Sequence, residues 1–344
     1  MAKRILIIGG TGNMGYYLSE RLAQAGCDLT LLNRGITKED LPRSIHRLSV
    51  DRTDHRQMRR ALLAKSFDVV VDFVLYRRDE ALTVTELFRD NVEHYIALSS
   101  GQVYLVRDGL QRPYRESDYD GDLIPAPAET SYHYEEWLYG VQKRDVENEI
   151  SAEGSRSNFP YTILRLPMVN SARDPYNRLF NYYLRLRDGG PILVPKTPNY
   201  ALNHVYALDV VAIIMHLIES GKGKGKTYNI AQDEHVSHED FLNILASIMG
   251  TKANWLSADR NALVSNGFLP DCAPFSERWM SALDNSLGKT ELGIIYTPLA
   301  EYLTEIARYF DTHAMSPPLA YRRRRAERHY AKNLETGPGS GSPL

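Results

Sequence analysis

Cysteine is almost missing from the 344 residues: Cys27 and Cys272 are the only two. So sparse a set builds neither a disulfide framework nor a metal knuckle, and no Cys-x-x-Cys or His-Glu-x-x-His spacing occurs. There is no Gly-x-Ser-x-Gly elbow either, so metal-dependent hydrolysis and serine acyl transfer lack support. Long hydrophobic runs are lacking too, and no stretch approaches the roughly 18 apolar residues of a membrane span. With 41 basic and 43 acidic side chains the formal charge is −2, which gives no global attraction to nucleic acid or an acidic membrane. Lys3 and Arg4 lead only a four-residue apolar run that stops at glycine, which does not read as a secretory signal. These absences together predict a cytoplasmic protein with unpaired thiols and no metal site.

Ile5-Leu6-Ile7-Ile8 runs straight into glycines at Gly9, Gly10, Gly12 and Gly15. An unbroken apolar strand fits the middle of a parallel sheet, and the glycines mark a turn where backbone approaches a ligand closely. Gly9 can make the tight turn, and Gly12 can admit a phosphate to the amides of Asn13 and Met14 at a helix N-terminus. Gly15 can let that helix pack on the strand. The amphipathic YYLSERLAQAG and a second strand, DLTLL, complete a unit of about 30 residues, the context a dinucleotide fingerprint requires.

That second strand ends in Asn33-Arg34-Gly35, where the fold meets the adenosine ribose. A carboxylate there would accept from the 2′-hydroxyl of NAD, whereas an arginine can pair with the 2′-phosphate of NADP. Arg34 therefore favours NADP, with NAD still possible. Strands follow at Ile45 to Val50, FDVVVDFV and HYIALSS, alternating with helical patterns, the signature of a doubly wound parallel α/β sheet of Rossmann type. Asp51, at a strand end, can accept from an adenine amino group, or it or Asp54 can cap the next helix. Ser99 and Ser100 close another strand, where ligands of open α/β sheets lie. A Pro-, Asp- and Tyr-rich loop of about thirty residues comes next.

In EEWLYGVQKRDVENEI, Tyr139 and Lys143 are four apart, so on a helix they share a face and can converge on one ligand. After YTILRLPMV the strand-helix rhythm is lost from Asn170 to Pro198, and it resumes with HVYALDVVAIIMHLIES. SGKGKGKT resembles a phosphate loop but has Ser220 in place of its first glycine, and it follows a helix instead of a strand. It reads as a solvated turn. Residues 1–170 and 203–231 are assigned to the dinucleotide domain and 171–202 and 232–311 to a smaller, interleaved substrate lobe. Residues 312–344 are assigned to a basic helix and a disordered tail, with Arg322 to Arg325 as a solvated face.

With GGTGNMG, SSGQVY, YGVQK, HVYALDVV and LDNSLGKTELGIIYTPLAEYL in this order, the chain resembles the short-chain dehydrogenase/reductase superfamily in its extended branch, the NAD-dependent epimerase/dehydratase family, from about Lys3 to Phe310. The resemblance implies Ser100 as the catalytic hydroxyl, Tyr139 as acid/base and Lys143 as the ribose-binding lysine that tunes it. It also implies a homodimer. Leu202-Asn203 stands where members binding nucleotide sugars usually have an arginine, and Gly101-Gln102 where 4,6-dehydratases have Asp-Glu. Both departures weigh against those substrates and that dehydration. Gln102, His133 and Asn170 are substrate candidates.

Hydride transfer at a carbinol carbon requires the hydroxyl proton to move as well. An ammonium about 4 Å from a phenol is worth about 4 kcal/mol at an effective dielectric of about 20, so Lys143 would make Tyr139 a usable base. The expectation is an NADP(H)-dependent oxidoreductase acting on a sugar-like or other polar alcohol or carbonyl. The alternatives are an epimerase or dehydratase of a sugar or nucleotide-sugar with retained NAD(P), and a non-catalytic nucleotide- or RNA-binding relative, for which nucleic acid is the less expected partner.

Overall fold

The computed structural model describes residues 2–37 and 39–336, and the chain forms two compact units. The first takes in the residues up to Val169, His204–Gln232 and Ser281–Tyr296. Its centre is a seven-stranded parallel sheet built from β1 (Arg4–Ile8), β2 (Asp28–Asn33), β3 (His46–Ser49), β4 (Val69–Asp72), β5 (His94–Ser100), β6 (Tyr161–Leu166) and the edge strand Lys226–Asn229. The order is Lys226–Asn229, β6, β5, β4, β1, β2, β3. Chain growth therefore reverses at β1, which pairs with β2 on one side and β4 on the other, with Ile8 level with both Leu32 and Asp72.

The apolar run of β1 is continuous because both its faces are covered. Ile5 and Ile7 pack with Leu18 and Leu22 of α1 (Asn13–Gln24) and with Val210 and Ile214 of the helix Ala207–Ser220. Leu6 and Ile8 point the other way, into a layer with Met58 of α2 (His55–Leu62), Val84 of α3 (Arg78–Phe88) and, beyond the one-turn α4 (Gln102–Leu105), Val146 and Ile150 of α5 (Tyr132–Ser157). The two-residue period of the strand separates the layers. Each completely buried Ile or Leu in them contributes about 1.5–3 kcal/mol. The SGKGKGKT stretch is the largely exposed turn between Ala207–Ser220 and Lys226–Asn229.

Three expectations are corrected here. Ser281–Tyr296, assigned to the lobe, belongs with the sheet: the Tyr114 amide donates to Ala282 O at 2.8 Å and Asn285 Nδ2 to Ala231 O at 2.8 Å. The arrhythmic stretch from Asn170 contains a helix, Arg178–Arg187, and a strand, Ile192–Pro195, paired in parallel with Trp255–Ala258 in the second unit. The arginine run is not uniformly solvated. Arg324, in the helix Arg324–Thr336, is 5% exposed and makes two 2.7 Å bonds to Asp188, because it lies on the face that also buries Glu327 and Ala331. Glu327 in turn pairs with Arg185 at 2.6 Å, with neither side chain exposed. This helix is part of the second unit and not a separate appendage, while the Gly/Ser/Pro tail expected after it lies outside the described residues.

Candidate functional site

A crevice of about 550 Å³ opens across the carboxyl ends of the strands at the reversal beside β1, where open α/β sheets bind ligands. Its floor is the glycine turn. Gly9 has φ +85°, closed to most side chains, and its amide donates to Leu32 O at 3.0 Å. A Cβ on Gly15 would fall 2.7 Å from Gly9 O, which explains how α1 approaches the turn so closely. A Cβ on Gly12 would meet no atom within 4 Å, so that position faces open space in the crevice. Asn13 adopts φ 41°, and its buried Oδ1 has no hydrogen-bond partner. Met14 packs its side chain into the core and offers only backbone.

The wall beyond β2 and β3 carries Asn33, Arg34 and Asp51. Asn33 Oδ1 accepts from the Gly35 amide at 2.8 Å, while its buried Nδ2 has no partner. Asp51 accepts from the Thr53 amide and hydroxyl at 2.9 and 2.8 Å, and these bonds, with the nearby Arg34 charge, hold its carboxyl below the usual range. Asp54 supplies the cap of α2 by accepting from the Gln57 amide, so Asp51 is not needed for it. The open backbone at Gly12 and the unpartnered Nδ2 of Asn33, both residues of the crevice wall, fit a polar, phosphate-bearing ligand such as a dinucleotide.

On the other side of β1 the wall is Val74, Tyr76 and Glu80, after β4. Buried charges pin this loop. Asp72 accepts from Arg52 Nη1 at 2.7 Å, the Tyr95 hydroxyl at 2.8 Å and the Val74 amide at 3.0 Å. Glu80 accepts from the amides of Tyr76 and Arg77. From α5, the ammonium of Lys143 donates to Leu75 O at 2.8 Å and Leu98 O at 2.7 Å, tying the ends of β4 and β5 together. Burial lowers the pKa of Lys143 to about 8, against the upward pull of the Glu147 and Asp72 carboxylates. The Tyr76 ring lies 5.4 Å from that ammonium, and its centroid is 6.4 Å from that of half-buried Tyr139.

Ser100, the last residue of β5, has an Oγ that accepts from the Gln102 amide at 3.2 Å. Gln102 donates its own side-chain amide to Glu136. His133 sits in the first turn of α5, against Tyr132. Asn170 belongs to the second unit and donates to the Tyr302 hydroxyl at 3.0 Å. Sequence reasoning missed Arg52, Asp72, Glu80, Tyr76 and Glu147. Only Glu147 left a signal, because Tyr139, Lys143 and Glu147 repeat every four residues on one helix face. It receives the Ser99 hydroxyl at 2.5 Å and Arg165 Nη2 at 2.6 Å. The long loop after β5 is clamped, not loose: the guanidiniums of Arg144 and Arg165 lie 4.0 and 4.3 Å from the centroid of the Tyr119 ring, and Arg144 also donates to Tyr119 O at 2.8 Å. Among the described residues no cluster suits a metal ion, and no helix is long and apolar enough to cross a membrane.

The fold is that of the extended short-chain dehydrogenases/reductases. The chain belongs to the NAD dependent epimerase/dehydratase family, whose model matches residues 5–231. It is similar to chloroplast stem-loop binding protein of 41 kDa b of Arabidopsis thaliana, 28% identical over 262 residues. That match covers 72% of this chain and 64% of the plant protein, less than two thirds of its length. In fold it resembles UDP-glucose 4-epimerase of Thermotoga maritima, solved with UDP-glucose, at TM-score 0.68 and 20% identity over 89% of this chain and 98% of that one. Bordetella bronchiseptica WbmG, solved with NAD, superposes at TM-score 0.71 with 18% identity, covering 92% and 96%.

Proposed function

We propose that the chain binds NADP(H) in the crevice and interconverts a polar alcohol and its carbonyl. The observation that carries this reading is Lys143: a buried ammonium fixed to the ends of β4 and β5, one helical turn from Tyr139 and linked to the crevice by Tyr76. When bound, the cofactor supplies or accepts the hydride. The chain's own residues do the rest. The turn from Gly9 to Gly15 presents backbone to phosphate, Arg34 pairs with a 2′-phosphate, and Asp51 or Asn33 accepts from or donates to the adenosine.

Two of the three N–H groups of Lys143 go to carbonyls, which leaves one for a ribose hydroxyl. Its charge stabilises the anion that develops on Tyr139 as the phenol exchanges a proton with the substrate oxygen. Ser100 hydrogen-bonds that oxygen and holds it in register. A second reading, an epimerase that oxidises and re-reduces one carbon without releasing its cofactor, uses the same residues. The 4-epimerase among the structural neighbours favours it.

The purified protein should be denatured and any released nucleotide identified by mass spectrometry. Stoichiometric dinucleotide supports the epimerase reading and its 2′-phosphate content decides NADP against NAD. An empty protein that binds added NADPH supports the exchanging oxidoreductase. One that binds no dinucleotide at all refutes both and leaves a non-catalytic role, such as the stem-loop binding in the plant relative's name. Tyr139→Phe should cut turnover by about 100-fold or more with cofactor affinity nearly unchanged; full activity in that variant removes Tyr139 from the mechanism.

A further inference from the structure

The crevice crosses the strand ends in the order β3, β2, β1, β4. On the reading that it holds a dinucleotide, the 2′-phosphate end lies at Arg34 beyond β2 and the pyrophosphate at the glycine turn beyond β1. Adjacent strands are about 4.8 Å apart, so the remaining nucleoside falls at the end of β4, where Tyr76 stands. Tyr76 is the one aromatic residue in the described wall of the crevice.

Its backbone is held on both sides, by Glu80 at its own amide and by Lys143 at the preceding carbonyl, yet the residue is 43% exposed. A large ring on an immobilised backbone, left open to a crevice while its inner side meets an ammonium, is a ready stacking surface. We propose that Tyr76 is the platform on which the nicotinamide riboside stacks, and that it thereby sets the position of that ring against Tyr139 and Lys143. This deepens the dinucleotide reading and stands on it.

The test is binding, read without turnover. NADPH is titrated by its own fluorescence, and 2′-phospho-ADP-ribose, which lacks nicotinamide, by calorimetry, against the unliganded wild type, Tyr76→Ala and Tyr76→Phe. Loss of the ring should weaken NADPH about 10-fold and 2′-phospho-ADP-ribose less than about 2-fold, with Tyr76→Phe close to wild type, as expected of an aromatic contact. Thermal melting of the unliganded variants should stay at the wild-type midpoint. Equal losses for both ligands, or no loss for NADPH, overturn the platform while leaving the dinucleotide reading intact. A wild type that binds neither NADPH nor NADH overturns that reading itself, and the platform with it. If NADH is the ligand bound, the same comparison is made with ADP-ribose.

Discussion

The carboxylate of Glu147 lies one helical turn beyond Lys143 and receives Arg165 through Nε at 3.0 Å and Nη2 at 2.6 Å, with both side chains buried. One anion thus serves two cations: it balances Arg165 by contact and supports the charge on Lys143 through space. Glu147→Gln keeps the shape and removes the charge. Breaking such a buried pair costs about 3 kcal/mol, which should appear as a lower urea midpoint. The alkaline limit of activity should also move to lower pH, because Lys143 would lose its proton more readily. An unmoved pH profile would show that Glu147 acts on packing alone.

Lys143 makes its own contribution to pH dependence. Burial has brought its pKa from 10.5 down to about 8. Between those values the unfolded chain keeps a proton that the folded chain has released, so stability rises with pH across that window. Unfolding curves of the wild type and Lys143→Met should therefore diverge above about pH 8. The wild type should gain by up to about 1.4 kcal/mol per pH unit. Parallel curves from pH 7 to 10 would contradict the buried, proton-losing ammonium.

Arg34 offers a selectivity test. Arg34→Ala should raise the Kd for NADP about 10-fold, the scale of one hydrogen bond to a charged group, and that for NAD less than about 2-fold. Losses of equal size for the two cofactors would remove the 2′-phosphate role from this side chain.

Adjacent arginines in the last helix should behave differently. Arg324 is buried against Asp188, whose carboxyl burial alone would raise but which Arg324 holds down to about 2. Arg325 is exposed. Arg324→Ala should cost about 3 kcal/mol and Arg325→Ala less than about 0.5, measured by chemical denaturation. Similar losses would mean that the helix is held by something other than this pair.

What the sequence revealed and what it hid follow from the range of the forces involved. The β1 turn and the Tyr139 to Lys143 spacing are local patterns, written within five to fifteen residues, and could be read directly. Arg178–Arg187 has a polar face, Arg178, Asn181 and Arg185, but Asn181 and Arg185 are buried on Asp271 O and Glu327, so no solvent-facing stripe marks the helix. The pinning of the β4 loop depends on Arg52, Asp72 and Glu80 meeting in space, and the burial of Arg324 on Asp188, more than a hundred residues earlier. No periodicity encodes such meetings.

The return of Ser281–Tyr296 to the sheet unit bears on how the molecule is made. All seven strands have left the ribosome by Asn229, but the unit lacks its last segment until Tyr296 has followed. At about 5–20 residues per second that is several seconds of waiting beyond the final strand, during which Asp233–Met280 of the other unit is already being synthesised. A nascent chain arrested between those points would carry a complete sheet with an unfinished surface, a natural substrate for chaperones. A gene fragment ending at residue 232 would reproduce that state permanently.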